Sequence, residues 1–350
     1  MPEIALEIAG QNWGGWTEVS VSRSIERLAG SFELGVTDRW PGKQSLRAIS
    51  AGLPCRITAA GETLITGFID DVSPSYDATS HDINVRGRDS TGDLIDCSAI
   101  HNPGEWKGQS LQAICGALTQ PFGIKVLVAT DTGKPFASFR IQESETVFEA
   151  IERACRQRAV LPIADGLGNV KLITASGAPL NAGVLQGGPG GNLLAASGQT
   201  SHRDRYSKII VKGQQAGADT LTADDIATPV AEISDSAIAR YRPLVVLAEE
   251  PGDGGGFKLR AKWERSVRRA RARTAQLTVR GWADDGGKLW QPGTRVRVSD
   301  PGIGIDAIML ITTATFTIDE RSGTRTRLDV SPPDGFDLLA EPEDEAATGW

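Results

Sequence analysis

Cysteine is scarce: Cys55, Cys97, Cys115 and Cys155 are four in 350 residues, with no CxxC spacing. That excludes a disulfide scaffold and fits a reducing compartment. Histidine is scarcer still. His81, His101 and His202 stand in no HExxH or other paired ligand spacing, so a histidine-built metal centre is not expected. No apolar run reaches the length of a membrane span, and the Met-Pro-Glu-Ile start has no basic stretch ahead of an apolar core. Neither a transmembrane helix nor a secretory signal is therefore expected. An excess of positive charge is missing too. Lys and Arg number 37 against 44 Asp and Glu, a net charge of −7, which counts against a dedicated nucleic-acid binder.

What the chain has in quantity is punctuation. Forty Gly and 18 Pro accompany a hydrophobic fraction of 40%. That excludes a single helical bundle or a fibrous chain, and the apolar content suffices for real cores. The length corresponds to roughly two to four domains. Residues 3–40 alternate with the β period at Ile4, Leu6 and Ile8, at Val19 and Val21, and at Phe32, Leu34 and Val36. The alternation continues through 53–72 and through His81-Asp-Ile-Asn-Val. Short strands with Gly, Pro, Asp and Ser turns point to an antiparallel barrel or sandwich.

Near residue 97 the pattern changes. Residues 110–118 have helical spacing, and 124–128 reads as a strand. The segment 143–158 is the clearest helix: Ser144 is placed to cap it, Val147, Ile151 and Ala154 share a face, and arginines fill the last turn. Val160-Leu-Pro-Ile-Ala and Val170-Lys-Leu-Ile-Thr form a hairpin pattern. After a Gly-rich stretch, β patterning returns at 208–213, 275–282, 295–298, 308–312 and 327–330. The expected organisation is a first β-barrel at 1–96, an α+β module at 97–180 and a Gly-rich linker at 181–206. A second β-barrel follows at 207–335, with an insertion at about 215–255, and an acidic tail at 336–350 with Glu341, Glu343, Asp344 and Glu345. The fold class is mainly β with α+β insertions.

The two β regions resemble each other in order. Ala5-Leu-Glu-Ile-Ala-Gly matches Lys208-Ile-Ile-Val-Lys-Gly, and Arg23-Ser-Ile-Glu-Arg matches Arg265-Ser-Val-Arg-Arg. Leu34-Gly-Val matches Leu277-Thr-Val, Cys55-Arg-Ile matches Val296-Arg-Val, and Leu64-Ile-Thr matches Leu310-Ile-Thr. Asp82-Ile-Asn-Val and Arg327-Leu-Asp-Val close the two copies. The wider spacing after the first match implies the insertion. A ring of three such chains would present six similar units, so it could meet a six-fold partner on one side and a three-fold partner on the other.

A search for chemistry returns little. Gly187-Gly-Pro-Gly-Gly and Gly252-Asp-Gly-Gly-Gly lack the Walker Lys-Ser/Thr and the dinucleotide spacing, and read as linkers. Acidic pairs such as Asp70-Asp71 and Asp284-Asp285 are adjacent, so in a strand they point to opposite faces. The cysteines have apolar neighbours and read as inert thiols. One segment stands out. Lys258, Arg260, Lys262, Arg265, Arg268, Arg269, Arg271 and Arg273 surround a single acid, Glu264. On a helix, Leu259, Trp263 and Val267 would form a narrow apolar face, although the match to Arg23 argues for extended backbone in part of it. Three readings stay open: phosphate contact, an interface with a protein or channel, and a solvated face.

Certain runs are specific. Gly15-Trp-Thr-Glu-Val-Ser-Val-Ser-Arg-Ser-Ile-Glu, Thr66-Gly-Phe-Ile-Asp-Asp-Val and Gly87-Arg-Asp-Ser-Thr-Gly-Asp-Leu-Ile-Asp-Cys-Ser resemble the baseplate hub proteins of Mu-like contractile-tailed phages. So do Glu145-Thr-Val-Phe-Glu-Ala-Ile, Arg240-Tyr-Arg-Pro-Leu-Val-Val and Leu289-Trp-Gln-Pro-Gly. The resemblance spans about 1–335 and extends to the N-terminal part of the VgrG spike proteins of type VI secretion. It implies a homotrimer with two tube-type β-barrel domains per chain. Such a ring joins a hexameric tail tube to a trimeric membrane-piercing spike around a channel that DNA touches at most transiently. Expected partners are further copies of the chain, the central spike protein, and tail-tube or neighbouring baseplate proteins. The expected location is the virion baseplate, after assembly in the host cytoplasm. No catalytic residue, cofactor, metal or small-molecule substrate is expected. The alternatives are a tail-associated cell-wall-degrading enzyme, with the middle module as catalyst, a VgrG-like component of a related injection machine, and a nucleic-acid binder resting on 258–273.

Overall fold

The computed structural model describes residues 4–37, 49–59, 61–77, 81–212, 230–247, 254–319 and 323–340. The first unit is β1 (Ile4–Ile8), β2 (Gln11–Trp13), β3 (Glu18–Ser24), β4 (Ser31–Thr37), β5 (Pro54–Ala59), β6 (Glu62–Tyr76) and β7 (His81–Asp89). Period-two alternation drives it: Ile4, Leu6, Val19, Val21, Phe32 and Leu34 all turn into the core. β6 and β7 cross closely at Gly67 and Gly87. A Cβ on Gly67 would run into the Arg88 carbonyl, and one on Gly87 into the Phe68 carbonyl.

The middle module follows with α1 (Gly92–Asp96), β8 (Glu105–Gln109), α2 (Leu111–Thr119), β9 (Val126–Val128), β10 (Phe136–Arg140), α3 (Val147–Arg156), β11 (Leu161–Ala164) and β12 (Val170–Ile173). The expected hairpin is present as antiparallel β11–β12, and β9 joins β12 in parallel. The expected helix is α3, and Val147, Ile151 and Ala154 are buried on its inner face. Its cap is Thr146 rather than Ser144. Thr146 and Glu149 form a reciprocal capping box, whereas Ser144 lies two residues upstream at φ 67°. The boundary also moves: α1, expected in the first barrel, places Leu94 in the module core with Leu111, Ile114, Phe139 and Ile151.

Next come β13 (Leu180–Gln186) and β14 (Leu193–Thr200). The composition predicts a linker over 181–206, and the structure overturns this. β13 pairs with β19 (Arg295–Asp300) and β14 with β18 (Arg273–Arg280), and the glycines at 187–191 form the turn between β13 and β14. Gly187 is required by packing, because a Cβ there would collide with the Asp300 carboxylate. The insertion holds β15 (Lys208–Lys212), β16 (Val230–Ser234), β17 (Pro243–Leu247) and α4 (Gly254–Arg271). It separates β14 from β18 and so occupies 201–272, wider than the expected 215–255. Much of that expected range, 213–229 and 248–253, lies outside the described residues, as do the tail acids from Glu341 onward. The chain ends with β18 (Arg273–Arg280), β19 (Arg295–Asp300), β20 (Ile305–Asp319) and β21 (Gly323–Ser331).

The two β units are alike. β4-β7-β6-β5 is one ladder, and β18-β21-β20-β19 is the same ladder again. Both carry a bulge at the same place, between Ile69 and Asp71 in β6 and between Ile311 and Thr313 in β20. Superposing the bulges pairs Leu34 with Leu277 and Cys55 with Val296, in the expected register. The other four sequence matches fail in informative ways. Leu64-Ile-Thr against Leu310-Ile-Thr is four residues out, and Asp82 against Arg327 is two residues out, within the correct strands. Lys208-Ile-Ile-Val is β15, in a separate three-stranded sheet, and Arg265 lies on α4 rather than on a strand.

The units share one 13-stranded sheet, because β3 pairs with β20. One core runs through both, from Val21, Phe32 and Leu34 to Leu277, Phe316 and Leu328. Among the described residues the ladder does not close on itself within one chain. The module rests at this joint: Ile163 and Ile173 pack with Ile25 and Leu310, and the Arg23 guanidinium donates to the Asp165 carbonyl at 2.6 Å.

Inside the module, Glu145 and Arg153 form a buried pair at 2.9 Å. Arg153 also donates to the Arg140 carbonyl and lies over the Phe139 ring. Arg153→Met would leave the Glu145 carboxylate buried without its cation. It is expected to destabilise the module by about 3–5 kcal/mol, read from amide hydrogen exchange of α3 in the native chain.

Candidate assembly surface

The eight basic residues singled out in the sequence fall on one helix and its exit. Seven lie on α4, and Arg273 begins β18. The segment is helical through Arg271 and extended only at Arg273, so the extended backbone expected around Arg265 is not met. The expected apolar face is corrected as well. Phe257, Ala261, Val267 and Ala270 are buried, while Leu259 is exposed. The physical reason is the docking partner. α4 packs on the β15–β16 sheet, where Phe257 and Ala261 meet Val211 and Ala231, so its inner face is set by that sheet.

Half of the basic residues are engaged within the fold. Glu264, itself buried, accepts from Arg260 at 3.1 Å and from Arg268 at 3.1 Å, one helical turn to either side. Arg260 lies over the Trp263 ring and Arg268 faces Tyr206. Arg265 donates to the Ser234 carbonyl, and Arg273 donates to the Gly304 carbonyl. Lys258, Lys262, Arg269 and Arg271 are exposed. Lys258, Lys262 and Arg269 follow helical spacing and form an exposed stripe, with the Arg269 charge near Asp235 just beyond β16, whereas Arg271 points elsewhere on the helix. The sequence run therefore divides into a structural clamp and a short solvent-facing cationic stripe.

Among the described residues no three His, Cys, Asp or Glu side chains cluster with metal-binding geometry. His101 stacks on Trp106 with ring centroids 4.7 Å apart, and His202 is exposed. Asp70 is held by Arg88, which also binds Asp96. These two hydrogen bonds raise the Arg88 pKa. Arg23 and Asp89 are both buried at the joint. Burial pushes Asp89 up, against hydrogen bonds from Thr91 and Gly30, and burial lowers Arg23, against the charges of Asp89 and Asp165. The pair ties the β3–β4 turn to the start of α1, because Asp89 also accepts from the Gly30 N–H at 2.7 Å. Sequence reasoning missed this pair. The signal was present in the Gly87-Arg-Asp-Ser-Thr-Gly run, whose Asp89 and Thr91 are both buried.

The tail is partly anchored. The Trp263 indole donates to the Asp337 carbonyl at 2.6 Å, and the Asp337 side chain accepts from the Ser176 N–H at 3.1 Å. Asp337 thus bridges Ser176 of the module and Trp263 of α4.

A duplicated β unit sharing one sheet, interrupted by an α+β module, is the architecture of a phage-tail hub component. Three family models match consecutive parts of the chain. "Mu phage baseplate assembly protein GpP-like, N-terminal" covers 3–89, "Baseplate hub protein gp44-like, second domain" covers 91–174, and "Mu phage baseplate assembly protein GpP, fourth domain" covers 257–339. The chain is 33% identical to baseplate hub protein gp44 of Escherichia phage Mu over 341 residues, 95% of this chain and 88% of that protein. The crystal structure of a 43 kDa tail protein from prophage MuSo2 of Shewanella oneidensis matches with a TM-score of 0.85 at 37% identity, covering 96% of this chain and all of that one. A type VI secretion component of Escherichia coli, the c3393 protein, shares the fold at 11% identity, with a TM-score of 0.60 over 96% of this chain and 80% of that one. The chain belongs to the baseplate hub proteins of Mu-like phages. It is a structural component of the baseplate of a contractile tail, and therefore of the virion.

The thiols fit a structural part. Burial, then the charge of Asp70, pushes the Cys55 thiol up to about 12. Cys155 is raised by its hydrogen bond with Cys115 and by burial, and Cys97 is exposed. In the native chain Ellman's reagent is expected to titrate Cys97 promptly and the other three only after denaturation. A Cys97→Ser variant should show no prompt reaction.

Proposed function

We propose that the chain forms a homotrimeric ring of pseudo-six-fold symmetry, joining the hexameric tail tube to the trimeric spike around a central channel. The carrying observation is the repeated ladder, β4-β7-β6-β5 and β18-β21-β20-β19, with its shared bulge. Three chains with two such units each offer six near-equivalent positions to a tube and three true equivalents to a spike. The open ladder supports this reading, since a single chain leaves edges that assembly can satisfy. The ring acts by geometry and has no enzymatic role. It assembles in the host cytoplasm, and DNA passes through it transiently. In this reading the two β units build the ring wall, and the middle module and the insertion form its outer surface. The cationic stripe of Lys258, Lys262 and Arg269 is an interface with a neighbouring baseplate protein.

Sedimentation equilibrium of the purified chain is the direct test. A species of three times the 37.2 kDa chain mass is expected. A monomer at micromolar concentration, with or without the spike protein, would sink the reading.

A further inference from the structure

The repeat makes one edge conspicuous. β20 is 15 residues long, and β21 covers one of its edges. On its other edge, β19 covers the first half and β3 the second, through Thr313–Ser24, Thr315–Ser22 and Thr317–Ser20. β6 is its counterpart, equally long and equally bulged. β7 covers one edge of β6, and β5 covers the first half of the other. Among the described residues no strand covers the second half, over Asp71, Val72, Ser73, Pro74 and Ser75. The counterpart of β3 is β14, since β3 pairs with β4 as β14 pairs with β18. β3 is buried, but β14 ends the sheet, and residues 197–200 are exposed.

We propose that these two edges pair between copies of this chain, β6 of one with β14 of the next, in the register that joins β20 to β3 within the chain. This rests on the ring reading above and names the contact that would build it. Carrying the internal register across sets Asp71 opposite Ser201, Val72 opposite Thr200, Ser73 opposite Gln199, Pro74 opposite Gly198 and Ser75 opposite Ser197.

Two independent features agree with that register. The first is hydrogen-bond phase. The Ile25 N–H bonds to the Thr312 carbonyl, so alternate residues from Thr312 onward turn their backbone groups toward β3. In β14 the Ser201 N–H bonds to Ala272, which leaves the backbone groups of Gly198 and Thr200 facing outward. In β6 the Ile69 N–H bonds to Leu53, as the Ile311 N–H bonds to Thr294, which leaves those of Val72 and Pro74 outward after the bulge. The outward groups of the two edges therefore meet. Val72 and Thr200 exchange two bonds, and the Gly198 N–H donates to the Pro74 carbonyl. Pro74 itself has no N–H, so it removes one donor from this edge and blunts indiscriminate strand addition.

The second is facial chemistry. Within the chain the Ser24 hydroxyl lies 3.0 Å from that of Thr313, and the Ser22 hydroxyl 3.4 Å from that of Thr315. The proposed register places Ser201 against Asp71, Gln199 against Ser73 and Ser197 against Ser75, polar against polar on the same face. The other face carries Val72 and Pro74, where the internal joint carries buried Ala314 and Phe316. A slip of one residue would set Val72 against Gln199 and Pro74 against Ser197, mixing the two faces. Each copy offers one edge of each kind, so the contact runs head to tail and closes only as a ring.

The test is a directed cross-link. In a Cys97→Ser background, Ser73→Cys with Gln199→Cys occupies a facing, non-hydrogen-bonded pair of the proposed ladder, within disulfide reach. Ser73→Cys with Ser201→Cys is the slipped control. Both pairs replace polar side chains at the sheet edge, and sedimentation monitors assembly of each. On mild oxidation the first pair should yield disulfide-linked multimers at least about tenfold more than the control. Assembly into a ring with no excess over the control would overturn the ladder and leave the ring reading intact. A monomeric chain would overturn both.

Discussion

The ladder between β3 and β20 is the constraint on which the rest of the molecule depends. A strand of 15 residues presents backbone donors and acceptors along both edges, and each needs a partner when buried. β21 satisfies one edge of β20 throughout, but β19 reaches only to the bulge. β3 completes the other edge, and in doing so it welds two similar units into one sheet with one core. Phe316 and Val21, directly opposed across this joint, are both fully buried. The joint also provides the seat for the module, through Ile25, Leu310, Ile163 and Ile173.

The polar groups at this seat hold the parts in place. Arg23, buried on the inner end of β3, reaches the Asp165 carbonyl in the β11–β12 turn. Asp89, at the end of β7, accepts from both Gly30 and Thr91. A buried charge is tolerated only where hydrogen bonds and an opposite charge replace water. These contacts fix how the first unit, the module and the second unit meet. The basic helix follows the same logic on a smaller scale. Glu264 gathers Arg260 and Arg268, so much of a run that resembles a nucleic-acid patch holds the helix in place. Lys258, Lys262, Arg269 and Arg271 stay exposed for a partner.

The repeat is legible from sequence in part, and its errors have a physical origin. Leu34 with Leu277 and Cys55 with Val296 fall in true register. Leu64 with Leu310 and Asp82 with Arg327 fall in the right strands, shifted by an even number of residues. A strand has a side-chain period of two, so an even slip keeps every apolar residue on the core face and scores as well as the correct pairing. The bulges at Ile69 and Ile311, which settle the register, leave no compositional mark. Lys208-Ile-Ile-Val finds the wrong partner in sequence because any short alternating apolar run fits any other. It forms instead the central strand of the insertion's own sheet.

The sequence by itself determined the strand-rich units, the α3 helix and the hairpin after it. Those follow from alternation, capping chemistry and composition, all local properties of the chain. It also carried the long specific runs by which the family is known. The tertiary structure alone decided that most of 181–206 is sheet rather than linker, that the inner face of α4 is Phe257 and Ala261 rather than Leu259, and that Arg23 and Asp89 are both buried at a joint. It alone decided that two units share one ladder. Each of these depends on which distant strand supplies a missing hydrogen-bond partner or covers an apolar face, and local sequence holds no record of that choice.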